Sequence, residues 1–339
     1  MKAHKFNCPN RKLLRCAFCF VALLFSCASF DTTHYENPID DNFHDANTVC
    51  NFPSPKRYNI VYSDTARKYD HSVKEHNYSK IIYGDKDTAV LLLHGFISSP
   101  FEVFFLGREI NRHGYTVLMP LIEGFGGSTE FANRTKYSAW QETSEQSLEE
   151  LGRCYSKIVV VGFSLGGAII TDYLLNNSTE NTKIQGVVLL APYYSTSISG
   201  GKFINNVVDL FTDSISLKTL YRFSANEDLK IPLSNPDYYN SEMPLKAIKE
   251  IMKFAEKIRS TPGRHLPIPL QTLLIYSEDD RTVDNNVSIK FVREHFNNVT
   301  TIQYEKAKEI RHQLSVPKGN AEFEELCASV VAFIGRTCR

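Results

Sequence analysis

Three residues placed far apart in this chain could together perform nucleophilic chemistry: Ser164, Asp280 and His312. Ser164 lies in Gly162-Phe163-Ser164-Leu165-Gly166, a G-x-S-x-G pattern inside KIVVVGFSLGGAIITDYLL. A strand-to-helix turn that tight would drive the side chains two residues either side of the serine into collision. Glycine at both places removes the clash, and the strained turn projects the hydroxyl above the sheet. The helix starting behind it offers unpaired backbone N–H groups and a positive dipole end, a setting suited to an oxyanion. The bland alternative is a glycine turn with a bystander serine. A serine hydroxyl is nearly inert at neutral pH, so this chemistry needs a base and a group that orients the base. His312, in Glu309-Ile310-Arg311-His312, is the candidate base. Glu278, Asp279, Asp280 and Asp284 compete for the acid role; the loop register, with Val283 three residues on, favours Asp280. The other three read as loop caps or helix N-caps.

Such groups need elements to position them. Ala89–Leu93, Tyr115–Met119, the run before Phe163, Ile184–Leu190, Leu270–Tyr276 and Val299–Tyr304 read as strands, several apolar enough to be buried on both faces. Arg57–Asp64 and Tyr78–Tyr83 read as early edge strands. Helical spacing follows Ser99-Pro100 as far as Arg112, with Gly114 as the stop, and recurs in Tyr137–Leu151, Asn285–Phe296 and Ala321–Ile334. Strands alternating with helices predict an α/β fold with a mostly parallel central sheet and helices on both faces. Ser164, Asp280 and His312 each fall just beyond a strand's C-terminal end, where an open α/β sheet keeps its site. The Leu121–Thr129 loop is glycine-rich but lacks a following Lys, so it is no phosphate cradle. Tyr193–Pro269 breaks the alternation and carries two apolar-faced segments, Phe203–Phe211 and Leu245–Ile258. It reads as a small helical cap (193–269) inserted in a core of 57–192 and 270–339; the alternative is an extra structural helical pair.

The composition is that of an ordinary globular chain: 339 residues, 42% hydrophobic, 22% charged, formal net charge +0. That balance argues against a nucleic-acid partner. Lys2, Lys5, Arg11, Lys12 and Arg15 precede the short apolar run Ala17–Phe25, so residues 1–28 read as a signal peptide. Leu24-Phe25-Ser26-Cys27 resembles a lipoprotein cleavage box, with Phe25 unusual in it, while Ser26-Cys27-Ala28 would serve ordinary secretion. Membrane attachment through Cys27 and simple export both stay open, and 29–56 reads as a polar tether. Cys50, Cys154, Cys327 and Cys338 permit up to two disulfides in an exported chain, with connectivity unreadable. No cysteine or histidine spacing makes a zinc site, and no cofactor is expected.

From about Lys80 to Ile334 the chain resembles the α/β-hydrolase superfamily, most closely its capped carboxylesterases and monoacylglycerol lipases. The resemblance is carried by His94-Gly95-Phe96, Ser99-Pro100-Phe101, the Gly124–Gly127 loop, the Gly162–Gly167 elbow, the Asp280 loop and His312, in the chain order Ser, Asp, His. It implies that Ser164 attacks an ester carbonyl, His312 takes its proton and Asp280 orients His312. It also implies that the backbone N–H groups of Phe96 and Leu165 hold the oxyanion. His94 would lie at the site mouth and shape that loop. Apolar cap residues, among them Phe203, Phe211, Ile251 and Phe254, would supply an acyl pocket, and Arg281 and Arg311 would bind an anionic group or form salt bridges. The reading is a serine hydrolase acting on acyl esters or monoglyceride-like lipids. A serine peptidase or amidase, and a non-catalytic hydrolase-fold surface protein, are the alternatives.

Overall fold

The computed structural model describes residues 73, 75–180, 182–197, 213–224, 227–263 and 266–339. The leader with Cys27, the tether, Cys50, the expected strand Arg57–Asp64 and Phe203–Phe211 lie outside these residues. Aliphatic and β-branched runs form β1 (Lys80–Ile82), β2 (Thr88–Leu93), β3 (Thr116–Met119), β4 (Lys157–Phe163) and β5 (Ile184–Leu190). A short ribbon, β6 (Ser214–Ser216) and β7 (Glu242–Pro244), precedes β8 (Ile268–Ser277) and β9 (Phe296–Tyr304). The main sheet runs β1-β3-β2-β4-β5-β8-β9. Its edge strand β1 is antiparallel to β3, and every other pairing is parallel. This is the expected architecture, and its centre is dry: Ala89–Leu93 are fully buried, as two-sided covering of a parallel sheet requires.

The register does the positioning. Leu93 sits opposite Gly162, Phe163 opposite Leu190, Leu190 opposite Ile275 and Ser277 opposite Tyr304. Five strands therefore end nearly level, so the loops that leave them converge on one edge of the sheet.

The helices are α1 (Phe101–Asn111), α2 (Thr129–Arg134), α3 (Tyr137–Cys154), α4 (Leu165–Asn176), α5 (Leu217–Ser224), α6 (Lys230–Ser234), α7 (Leu245–Ser260), α8 (Asn285–His295) and α9 (Phe323–Thr337). α1 packs against α9, and α3 against α4 and α7. Ser99 and Pro100 open α1 as anticipated, through the Ser99 carbonyl accepting from the Glu102 N–H at 3.1 Å. α2 was not anticipated; Ser128 caps it by accepting from the Phe131 N–H at 3.1 Å, a signal hidden by its position at the end of a glycine-rich loop. The ribbon was also missed, because three-residue strands carry no readable period, and so was α5.

The only tryptophan, Trp140, is wholly buried on α3. Its ring stacks on Phe125 at 5.8 Å and meets Phe254 of α7 edge-on at 6.0 Å. Phe254, expected in an acyl pocket, packs into this core instead. Asp172 of α4, 2% exposed, accepts from Lys257 of α7 and Gln141 of α3, tying the three helices together. Cys154 is disulfide-bonded, while Cys327 and Cys338 are free, so at most one bridge draws on the four cysteines considered above.

Candidate active site

At the elbow Ser164 takes φ 52° and ψ −113°, a region that costs a non-glycine residue of order 1–3 kcal/mol. The surroundings hold it there. Its N–H donates to the Leu190 carbonyl at 2.9 Å, and its carbonyl accepts from Ala168 at 3.2 Å and Tyr193 at 3.0 Å. Both flanking glycines are required, Gly162 for the reason anticipated and Gly166 because it lies against the end of the neighbouring strand β2. A Cβ on Gly162 would stand 2.5 Å from the Gly166 carbonyl carbon, and one on Gly166 would stand 2.4 Å from the Leu93 oxygen.

The level strand ends bring Ser164, Asp280 and His312 together. His312 Nδ1 lies 2.7 Å from Asp280 Oδ2, and Nε2 lies 2.9 Å from Ser164 Oγ. A carboxylate only accepts, so Nδ1 carries the proton and Nε2 is left to accept from the serine hydroxyl. The second Asp280 oxygen accepts from the Thr282 N–H at 2.8 Å and the Val283 N–H at 3.0 Å, which pins the carboxylate. The competing acids have other work. Glu278 accepts from Gln303 and from the Lys306 N–H, and Asp284 caps α8 through the Asn286 and Val287 N–H groups. Asp279 pairs with Arg311 at 2.9 Å and, more loosely, with Arg281 at 3.9 Å, so both arginines join a salt bridge.

The loop after β2 faces the elbow. Phe96 sits in that turn, and Leu165 is the first residue of α4, whose leading N–H groups have no partner within the helix. His94 is fully buried beneath the turn rather than at a mouth. Its Nε2 accepts from the Ile122 N–H at 3.0 Å, so Nδ1 holds the proton and donates to the Gly95 carbonyl at 2.8 Å. Burial pushes its pKa down to about 4, so it is neutral. Glu102 was missed by sequence reasoning, although an acid inside the apolar run Phe101-Glu102-Val103-Phe104-Phe105 was the available signal. Its carboxyl is 1% exposed and accepts from the Gly95 N–H at 2.7 Å and from the Tyr239 hydroxyl at 3.2 Å. Burial raises its pKa to about 7, against the pull of those hydrogen bonds.

Residues 84–316 match the Hydrolase_4 family model, described as serine aminopeptidase, S33. The chain belongs to this family of α/β-hydrolases. It is 26% identical over 199 residues to a thermostable monoacylglycerol lipase of Bacillus sp. (strain H-257), covering 57% of this chain and 71% of that one. An 82-residue stretch is 40% identical to a carboxylesterase of Bacillus subtilis (strain 168), covering 24% of this hydrolase and 33% of the relative. Among solved structures, one reported with the metagenome-derived lipolytic enzymes LipS and LipT superposes with a TM-score of 0.61 at 18% identity. That match covers 78% of this chain and 99% of the other, and supports the fold.

The hydrolase has a cavity of about 680 Å³ at Ser164 and His312. One wall is apolar, built from Ile97 and, in the segment between β5 and β8, from Ile215, Leu220, Leu229, Met243, Leu245, Ile248 and Ile251. The lining also has polar members, among them Thr196, Glu278, Asp279, Arg281 and Lys306. Of the apolar residues anticipated from helical spacing on α7, Ile251 reaches this cavity. His312 itself feels opposed influences. Its burial favours the neutral ring, but the charge and hydrogen bond of Asp280, with Asp228 and Glu102 nearby, outweigh it and raise the pKa above the ordinary value.

Proposed function

We propose that this hydrolase cleaves carboxylic esters with an extended acyl chain through an acyl-enzyme formed on Ser164. The observation that carries the reading is the unbroken hydrogen-bond chain Asp280–His312–Ser164 opening onto an apolar cavity. In this reading His312 Nε2 takes the hydroxyl proton as Ser164 Oγ attacks the ester carbonyl. Asp280 keeps the proton on Nδ1 and stabilises the imidazolium. The N–H groups of Phe96 and Leu165 receive the oxyanion. His312 then protonates the departing alkoxide, and a water activated by the same ring releases the acid. The lipase and esterase relatives support an ester or lipid substrate. The address of the enzyme rests on sequence: residues 1–28 argue for export, either with Cys27 as a lipid attachment point or by simple secretion.

Covalent labelling by a fluorophosphonate probe, followed by a panel of acyl esters of increasing length with matched amides, tests the proposal. Labelling and ester turnover are expected; a protein that neither labels nor turns over any ester would refute it, and faster amide cleavage would move it to the peptidase class. Within the panel, Leu220→Trp or Ile248→Trp should shorten the preferred chain while sparing an acetyl ester. Each methylene excluded from the cavity loses about 0.8 kcal/mol, roughly fourfold in kcat/KM. Equal losses on short and long esters would mean that these positions only support the fold.

The pH profile carries a further expectation. A protonated His312 cannot accept the serine proton, so activity must fall as pH drops through its pKa. Because that pKa is raised, the acid limb of kcat/KM should have its midpoint above the ordinary histidine value of 6.5. A midpoint below that value would contradict the raising influence of Asp280, Asp228 and Glu102.

A further inference from the structure

We propose that Asp228 is a positioning residue for His312, through which the segment between β5 and β8 holds the reacting groups in register; the proposal rests on the ester-hydrolase reading above. Asp228 lies in the short turn Glu227–Leu229, is 4% exposed and borders the same cavity as Ser164. Its Oδ1 accepts from the backbone N–H of His312 at 3.1 Å, and its Oδ2 accepts from the Thr282 hydroxyl at 2.7 Å. Thr282 in turn donates its own N–H to Asp280 Oδ1 at 2.8 Å, and Asp280 Oδ2 meets His312 Nδ1 at 2.7 Å. Four residues thus close a hydrogen-bonded ring: Asp228, Thr282, Asp280, His312 and back to Asp228. Three separate loops supply the members, so a shift of any one must stretch the ring.

The charge on Asp228 needs its own explanation. An uncharged acceptor could accept these same two hydrogen bonds, and a buried acid beside a second acid carries an electrostatic penalty. Burial and Asp280 both disfavour its ionised form, while His312 and the two hydrogen bonds favour it. The ionised acid gains a further favourable interaction when His312 becomes an imidazolium, which happens as the serine proton is transferred. The titratable acids facing His312 are Asp280 from the loop after β8, Asp228 from the inserted segment and Glu102 from α1. The neighbour of Asp228, Leu229, packs with Leu217, Leu220 and Ile97. The apolar wall of the cavity and the ring around His312 therefore share one stretch of backbone.

Asp228→Asn separates charge from shape, since the amide can still accept from the His312 N–H and donate to Thr282 Oγ1. Titration of the His312 ring by NMR, which needs no turnover, should show its midpoint fall by about one unit in this variant. The acid limb of kcat/KM should move down with it, while KM stays within about twofold. Thr282→Val opens the ring but keeps the charge, so kcat should drop about tenfold with a much smaller shift in midpoint. An Asp228→Asn ring that titrates within about 0.2 unit of wild type would overturn the proposal. So would Thr282→Val and Asp228→Asn profiles that both superpose on wild type. Failure of the ester reading would show differently, as wild-type protein inert toward esters and fluorophosphonate, whatever the NMR titration gives.

Discussion

Ser164→Ala should abolish ester turnover and fluorophosphonate labelling while leaving expression and melting temperature nearly unchanged. The substitution removes one hydroxyl from an elbow whose backbone is held by the bonds to Leu190, Ala168 and Tyr193, none of which involves the side chain. No core cavity opens, because the residue lies against the active-site cavity rather than within the apolar core. What survives is oxyanion stabilisation and substrate binding without a nucleophile, so kcat should fall by more than about a thousandfold. A variant that keeps more than about a thousandth of wild-type kcat would remove Ser164 from the role proposed for it.

The second large effect separates two adjacent acids. Asp280→Asn should lower kcat by about 10⁴-fold, because an amide facing Nδ1 favours the wrong tautomer and cannot stabilise the imidazolium. Asp279→Asn should lower it by only about two- to fivefold, through a weakened pairing with Arg311. Steady-state kinetics of the two purified variants decide the matter. If they exchanged behaviour, the acid would belong to Asp279 and the hydrogen bond at 2.7 Å between Asp280 and His312 would not be the one that matters in turnover.

Much of the frame was legible because each of its signals is local. The run Ala89–Leu93 fitted a buried strand, and the glycine at 162 could be explained by a collision with position 166, four residues on. Asp280 was legible through its offset from Val283, whose N–H it accepts. The groups that were missed act across long chain separations. Asp228 meets His312 84 positions later in the sequence, inside a turn too short to have a period, and nothing near it hints at that partner. Glu102 was visible as an oddity in an apolar helix, but its acceptor role depends on how the preceding turn folds back onto it. Phe254 and Ile251 show a different limit. Their three-residue spacing on α7 places them on one helix face, yet Ile251 borders the cavity while Phe254 meets Trp140 and Tyr137. Periodicity identifies a buried face without saying which neighbour will bury it.

The seating of Trp140 between Phe125 and Phe254 gives the molecule a built-in optical reporter. With one indole in the whole chain, emission excited selectively at the indole comes from a single dry location where α3, the glycine-rich loop and α7 meet. Detachment of α7 would admit water to that location and move the emission to the red. Loss of a reacting group at Ser164, Asp280 or His312 would leave its colour unaltered, so one spectrum distinguishes a variant that has lost its chemistry from one that has lost its architecture.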